Sequence, residues 1–115
     1  MLIRNQNKTL LLNYSGLSTI DTMKIDEDYV VTCLNFEDTY TLGRYSQKEK
    51  VIKVLDMIQE AYAKYETIHT SATGLATMSL FIESTNEVNE LYMKIQNVLE
   101  KAVVFQMPED LEVEA

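Results

Sequence analysis

The chain has 115 residues, of which 46% are hydrophobic and 24% are charged, and its formal net charge is −8. This length is enough for one core and too short for two independent ones, and the composition excludes wholesale disorder. The acidic balance argues against a general nucleic-acid binder, because neutralising phosphates needs a basic face. We therefore expect one α+β domain over residues 1–107 and a flexible acidic tail over residues 108–115.

The N-terminus and the single cysteine bear on the cellular compartment. No run of about eighteen apolar residues occurs, and the chain turns polar directly after Ile3, so we expect neither a membrane span nor a signal peptide. A lone Cys33 within the apolar run Tyr29–Phe36 cannot build a disulfide framework. These features predict a cytoplasmic protein in which Cys33 is a buried small hydrophobic side chain.

Strand patterns fill the first 45 residues. Leu2–Arg4 and Thr9–Tyr14 form a predicted hairpin around a polar, asparagine-containing turn. Ser18–Ile25 is a weaker candidate, and Tyr29–Phe36, rich in β-branched and aromatic residues, is the strongest. After a short acidic turn, Thr39–Tyr45 alternates in polarity and predicts a second hairpin. The sequence thus predicts an N-terminal antiparallel sheet of about four to five strands.

Two amphipathic helices are predicted to follow the sheet. The period changes at Ser46, where the pattern Ser46-x-x-Glu49 is typical of a capping box at the start of a helix. An apolar stripe continues along this helix and is expected to lie on the sheet. Residues Thr67–Thr77, rich in Thr, Ser, Ala and Gly, predict a loop, and Ser84-x-x-Glu87 marks the start of the second helix, which runs roughly to Ala102.

The second helix carries a narrow apolar seam. Its members are spaced three and four residues apart, as in helices that face another helix: Val88, Leu91, Ile95, Val98 and Ala102. The seam suits packing on the first helix or on its copy in a second protomer, so we expect a homo-oligomer formed through the second helix. Val103–Met107 then predicts a short closing strand, ended by Pro108.

No set of residues predicts catalysis. His69 is the only histidine and has no partner at metal-ligand spacing, and no serine or threonine has a positioned base or an oxyanion motif. Acidic pairs such as Glu37–Asp38 lie in predicted turns, where solvation explains them better than general acid–base chemistry. We expect a binding protein without enzymatic activity, metal or cofactor.

Two regions are candidates for ligand binding. Arg44 ends the last strand of the sheet, and Lys48 begins a set of bases in the first turns of helix one, where free backbone donors favour an anion such as phosphate. The alternative is a solvated face in which these bases pair with nearby acids. Phe81, followed by Asn86 and Asn89, suits a purine through stacking and amide hydrogen bonds, whereas the alternative for Phe81 is core packing.

Three blocks, Ile3–Leu10, Leu42–Gln59 and Val104–Glu109, resemble a large set of small phage and prophage proteins of Gram-positive bacteria. This resemblance spans nearly the whole chain and implies a location in the host cytoplasm, but its motifs are structural and imply no catalytic residues. In layout, the chain also resembles the phage Thoeris anti-defence sponges of the first type, which are oligomers that sequester cyclic ADP-ribose-type signals. That resemblance implies roles for Phe81 and Asn89 in a nucleotide pocket.

These observations lead to one leading hypothesis and two alternatives. The leading hypothesis is a phage-encoded anti-defence protein that sequesters a cyclic nucleotide immune signal. One alternative is an anti-CRISPR-like inhibitor that docks on a host defence protein through acidic, nucleic-acid-mimicking turns and tail. The other is an oligomeric phage accessory protein without an immune role.

Overall fold

The structure is a computed structural model, which describes residues 1–79 and 86–114. It has the predicted α+β class, with helices and strands at the following positions: β1 Leu2–Arg4, β2 Leu11–Asn13, β3 Thr19–Ile25, β4 Asp28–Asn35, β5 Asp38–Tyr45, α1 Lys48–Ser79, α2 Asn86–Ala102 and β6 Val104–Gln106. Two short 3-10 helices occur at Tyr14–Gly16 and Asp110–Glu112. The predicted capping residue Ser84 and the candidate Phe81 lie outside the described residues.

The strands form two sheets of three strands each, where the sequence predicts one antiparallel sheet. In the first sheet, of order β2-β1-β6, β1 pairs antiparallel with β2 and parallel with β6, so that Ile3 lies opposite both Leu12 and Phe105. The second sheet is an antiparallel meander of order β3-β4-β5. The prediction missed the division because alternation within a strand does not reveal its pairing partner.

Tight turns connect the strands of the second sheet. The β4–β5 turn consists of Phe36 and Glu37, since Asn35 pairs with Asp38 across it. Phe36 adopts the left-handed region with a φ of 56°, which is uncommon for a bulky side chain. The register of β4 and β5 shifts between Val31 and Thr32, which indicates a bulge in the partner strand.

The chain has two compact units, one of Met1–Gln59 with Val104–Ala115 and one of Glu60–Val103. Among the side chains that the structure describes, all the fully buried ones belong to the first unit, and the largest are Tyr45, Ile3, Leu42, Met107, Val30, Val31, Val51, Val54 and Cys33. Val51, Val54 and Ile58 are buried members of the apolar stripe predicted for helix one. The buried position of Cys33 agrees with the sequence prediction, and burial raises the pKa of its thiol.

The second unit contains the later part of α1 and all of α2. α1 continues through Thr67–Thr77, so the prediction of a loop there is wrong. The hydroxyls that favoured a loop are accommodated within the helix, because Thr67 Oγ1 donates to the Ala63 carbonyl at 3.0 Å and Ser71 Oγ to the Thr67 carbonyl at 2.9 Å. Gly74 is tolerated because an isolated glycine costs a helix only about 1 kcal/mol.

The segment after β6, for which the sequence predicts a flexible acidic tail, is part of the first unit and makes specific contacts within it. Met107 and Val113 are buried, and the Tyr45 hydroxyl donates a buried hydrogen bond of 2.7 Å to the carbonyl of Pro108. The backbone N–H of Glu109 donates to Glu112 Oε1 at 2.9 Å across the 3-10 helix. The predicted disorder follows from the acidic composition, whereas the order comes from two apolar side chains and these specific hydrogen bonds.

Replacing Tyr45 with phenylalanine tests how strongly this segment is held. The variant keeps the ring and loses the hydrogen bond to Pro108, so we expect the free energy of unfolding to fall by about 1 kcal/mol in urea titration. Tyr40→Phe is a matched control on the same strand, since the Tyr40 hydroxyl forms no hydrogen bond with a described residue. Equal stabilities for the two variants would show that the Tyr45 hydroxyl does not secure the C-terminal segment.

Candidate functional site

The turn between β1 and β2 is built around the side chain of Asn5. Asn5 is buried, and its Oδ1 accepts hydrogen bonds from the backbone N–H groups of Thr9 and Leu10, both at 2.9 Å. Its carbonyl accepts the N–H of Lys8 at 3.0 Å, and Lys8 takes a left-handed φ of 65°. These bonds give a polar turn a single defined shape.

Gln6 fastens this turn to the outer edge of β5. Its backbone N–H donates to the Leu42 carbonyl at 2.7 Å, and its side-chain amide accepts from the Arg44 N–H at 2.9 Å and donates to the Arg44 carbonyl at 3.2 Å. The amide thus pairs with both backbone groups of Arg44, much as a neighbouring strand would. The same Nε2 also donates to the Pro108 carbonyl at 3.1 Å.

A polar cleft of about 220 Å³ lies between the turn and β5, lined by Asn5, Gln6, Asn7, Thr41, Leu42, Gly43 and Arg44. Gly43 is required in this wall, because a Cβ there would lie 2.9 Å from the hydroxyl oxygen of Tyr45. We call this cavity the Arg44 cleft. Its lining contains amides, one hydroxyl and one guanidinium, and no carboxylate.

Arg44 is the predicted ligand-binding residue that belongs to this cleft. Its guanidinium contacts Asp28 Oδ2 at 3.3 Å, and the two side chains remain 52% and 42% exposed. A single-oxygen contact leaves further guanidinium donors available, and an exposed pair of this kind contributes little to stability. Arg44 can therefore offer a planar set of donors to an incoming anion. Lys48 is exposed at the start of α1 and does not line the cleft.

The anion position predicted at the start of helix one is occupied by a carboxylate of the chain itself. Asp110 Oδ1 accepts the N–H of Ser46 at 2.9 Å and its hydroxyl at 3.1 Å, and lies 3.3 Å from Lys50 Nζ. Lys50 Nζ, on a side chain only 10% exposed, also donates to the Asp110 carbonyl at 2.8 Å. Lys50, which with Lys48 and Lys53 forms the set of bases predicted in the first turns of helix one, is therefore the one that contacts this carboxylate.

The Ser46 hydrogen bonds also lower the pKa of the Asp110 carboxyl below its ordinary value, with a smaller contribution from Lys50. The predicted capping box is replaced here, since both hydrogen bonds of Ser46 go to Asp110. The sequence contained a signal for anion binding at this position. It did not show that a residue in the supposed tail would supply the anion.

The remaining predicted residues belong to the second unit. Asn86 is the first residue of α2, and Asn89 is an exposed residue one turn later. Phe81, the proposed stacking surface of that candidate site, lies outside the described residues. The purine site of Phe81, Asn86 and Asn89 therefore stays a prediction.

Within residues 1–79 and 86–114 there is no group of three or more His, Cys, Asp or Glu side chains that could hold a metal ion. No helix in the described ranges is long and apolar enough to cross a membrane. Comparisons with protein-family models, with curated proteins and with solved structures found no match to this chain.

The contact between Asp110 and Ser46 predicts a pH dependence of stability. A carboxyl whose pKa is lower in the folded than in the unfolded state stabilises the protein at pH values above its unfolded pKa, which is about 3.9. This stabilisation is lost as the pH falls through the pKa of the folded state. We expect Asp110→Asn to be less stable than wild type near neutral pH, with the difference shrinking below about pH 4. Urea titrations across this range measure the difference.

Asp56→Asn is the matched control, because Asp56 is exposed on α1 and makes no ion pair with a described residue. Its stability relative to wild type should vary little over the same pH range. A pH-independent difference for Asp110→Asn would contradict a role for the carboxylate charge.

Proposed function

We propose that this protein is a phage-encoded anti-defence protein that binds and sequesters a cyclic nucleotide immune signal, such as a cyclic ADP-ribose isomer, in the host cytoplasm. The observation that carries the proposal is the Arg44 cleft, where an exposed guanidinium adjoins amide side chains and no acidic lining residue. Such groups match a phosphate and the hydrogen-bonding edge of a base or sugar. The resemblance to phage proteins supplies the biological setting.

The groups around the cleft suit binding and offer little for catalysis. The Asn7 side-chain oxygen accepts the Thr9 hydroxyl at 2.6 Å, while its NH₂ group forms no hydrogen bond with a described residue and can donate to a ligand. Arg44 would neutralise a phosphate, and the Thr41 hydroxyl lies in the same wall. No histidine, cysteine or carboxylate lines the cleft. Bound ligand would therefore be held unchanged.

The size of the cleft limits how much of a ligand it can enclose. Its volume of about 220 Å³ is below the 300–1,000 Å³ or so of a site that surrounds a drug-sized ligand. We infer that one phosphate–ribose portion of a cyclic nucleotide enters the Arg44 cleft and that the rest extends over the surface. The side chains of Asn89 and Phe81 remain candidates for contacts in a separate purine site.

Titration calorimetry with cyclic ADP-ribose isomers and cyclic dinucleotides tests the proposal. We expect one of these ligands to bind the wild-type protein. The Arg44→Gln variant should bind that ligand about tenfold to a hundredfold more weakly, because a charge-assisted hydrogen bond contributes about 1.5–3 kcal/mol. Lys53→Gln is the control, since it removes the same charge from an exposed position on α1 that does not line the cleft.

Absence of binding by all of these ligands at high protein concentration would reject sequestration.

The alternative function, docking on a host defence protein, is supported by exposed apolar residues beside acidic ones. Leu111 is 95% exposed between Asp110 and Glu112, and Phe36 is exposed beside Glu37. Recovery from host lysate of a protein released by salt, with no co-purifying nucleotide, would favour this alternative.

We also propose that the protein is a homo-oligomer joined through α2. None of the described side chains of the second unit is buried, and Leu91 and Val98 of the predicted seam are exposed. Ile95 and Val98 line an apolar groove of about 260 Å³ with Ile68 of α1. Since a helix with one apolar stripe needs a second surface to cover it, a copy of the same stripe is a suitable partner.

Light scattering coupled to size-exclusion chromatography tests the oligomer. We expect wild type to have at least the mass of a dimer and the double variant Leu91→Glu, Val98→Glu to have the mass of a monomer, because paired charges oppose burial of the seam. Met93→Glu, at an exposed position of α2 outside the seam, should keep the wild-type mass. A monomeric wild type at every concentration would reject the proposal.

A further inference from the structure

A second cleft in the first unit belongs to neither the predicted sites nor the proposed function. It has a volume of about 370 Å³ and is lined by Arg4, Lys8, Thr9, Leu10, Leu11 and Val104. We call it the Arg4 cleft. It shares no lining residue with the Arg44 cleft, and its volume falls within the range of about 300–1,000 Å³ that is usual for small-molecule sites.

The pairing of the first sheet creates this cleft. Ile3 and Leu12 are buried on one face, so alternation places their neighbours Arg4 and Leu11 on the other face, where they lie opposite each other in the register of β1 and β2. Val104 reaches the same sheet from the far end of the chain, through the parallel pairing of β6 with β1. Arg4 on the central strand therefore has Leu11 opposite it on β2, and Val104 lies on the same face of the sheet, opposite Leu2.

The two cations of the cleft are not neutralised within the described part of the chain. Among residues 1–79 and 86–114, Arg44 pairs with Asp28 and Lys50 with Asp110, whereas Arg4 and Lys8 form no ion pair. None of the six lining residues is acidic. In a chain of net charge −8, a cleft with two unpaired cations and no acid is a local site of opposite sign, which attracts small anions.

Two apolar side chains of the cleft are exposed to solvent. Leu11 is 51% exposed and Val104 is 42% exposed. A flat, apolar part of a ligand would cover them and gain the free energy of removing that area from water. An anion alone would contact the two cations and leave the apolar surface beside them uncovered.

We propose that the Arg4 cleft binds a small phosphate ester with a planar, weakly polar body, the chemical class of a mononucleotide. Arg4 and Lys8 contact the phosphate, and Leu11 with Val104 lies against the base. The backbone of Lys8 is left-handed and its N–H donates to the Asn5 carbonyl, so the main chain from which this side chain extends has a defined conformation. This site is independent of the cyclic nucleotide proposed for the Arg44 cleft.

Calorimetry with AMP, adenosine and inorganic phosphate tests both parts of the site. We expect AMP to bind more tightly than either of the other two, with an affinity that falls as salt is added. Arg4→Gln and Lys8→Asn should each weaken AMP binding by about tenfold or more, and asparagine tolerates the left-handed backbone at position 8. Leu11→Ser should weaken AMP binding while leaving the affinity for inorganic phosphate unchanged.

Arg44→Gln separates this site from the proposed function, because it should leave AMP binding at its wild-type level. Circular dichroism checks that each variant remains folded, as expected for exposed positions. No detectable AMP binding by the wild-type protein, or AMP binding unchanged in both Arg4→Gln and Lys8→Asn, overturns the proposal. Equal weakening by Arg44→Gln and Arg4→Gln would also overturn it, since the two clefts would then act as one.

Discussion

The carbonyl oxygen of Pro108 is the point on which the first unit depends, because three distant parts of the chain meet there. The Tyr45 hydroxyl donates to it at 2.7 Å, and the side-chain amide of Gln6 donates to it at 3.1 Å. The Tyr45 ring can reach it only because Gly43 lacks a side chain. This carbonyl oxygen has two lone pairs and thereby connects β5, the first turn and the C-terminal segment. Among the described residues, no buried side-chain nitrogen or oxygen lacks a hydrogen-bond partner.

This arrangement determines which cations remain available to a ligand. The hydrogen bonds to the Pro108 carbonyl fix the start of the 3-10 helix that places Asp110 against Ser46 and Lys50. The most buried lysine, Lys50, is therefore paired with a carboxylate of the chain itself. Arg44 remains exposed in a cleft walled by the same turn that Gln6 fastens. The C-terminal segment thus removes one anion site, at the start of α1, and Gln6 helps to shape another.

Local sequence patterns predicted the helices and strands better than they predicted which strands pair and which distant residues come into contact. The apolar stripe of Val51, Val54 and Ile58 and the strong strand before Phe36 were readable because each depends on near neighbours in the sequence. The division into two sheets and the site of Asp110 depend on pairings between the two ends of the chain, which periodicity does not encode. Thr67–Thr77 is helical although its composition predicts a loop, because it contains no proline and the hydroxyls of Thr67 and Ser71 bond to carbonyls within the helix.

The parallel pairing of β1 with β6 has a consequence for how the molecule forms. Ile3 lies opposite Phe105, so the central strand of the first sheet has only one neighbour until residues 104–106 arrive. Joining such remote segments carries a large loop-closure entropy, and contacts of this separation generally slow folding. The antiparallel meander of β3, β4 and β5 can form from adjacent segments at once. Residues 104–106 therefore complete the sheet that β1 and β2 begin.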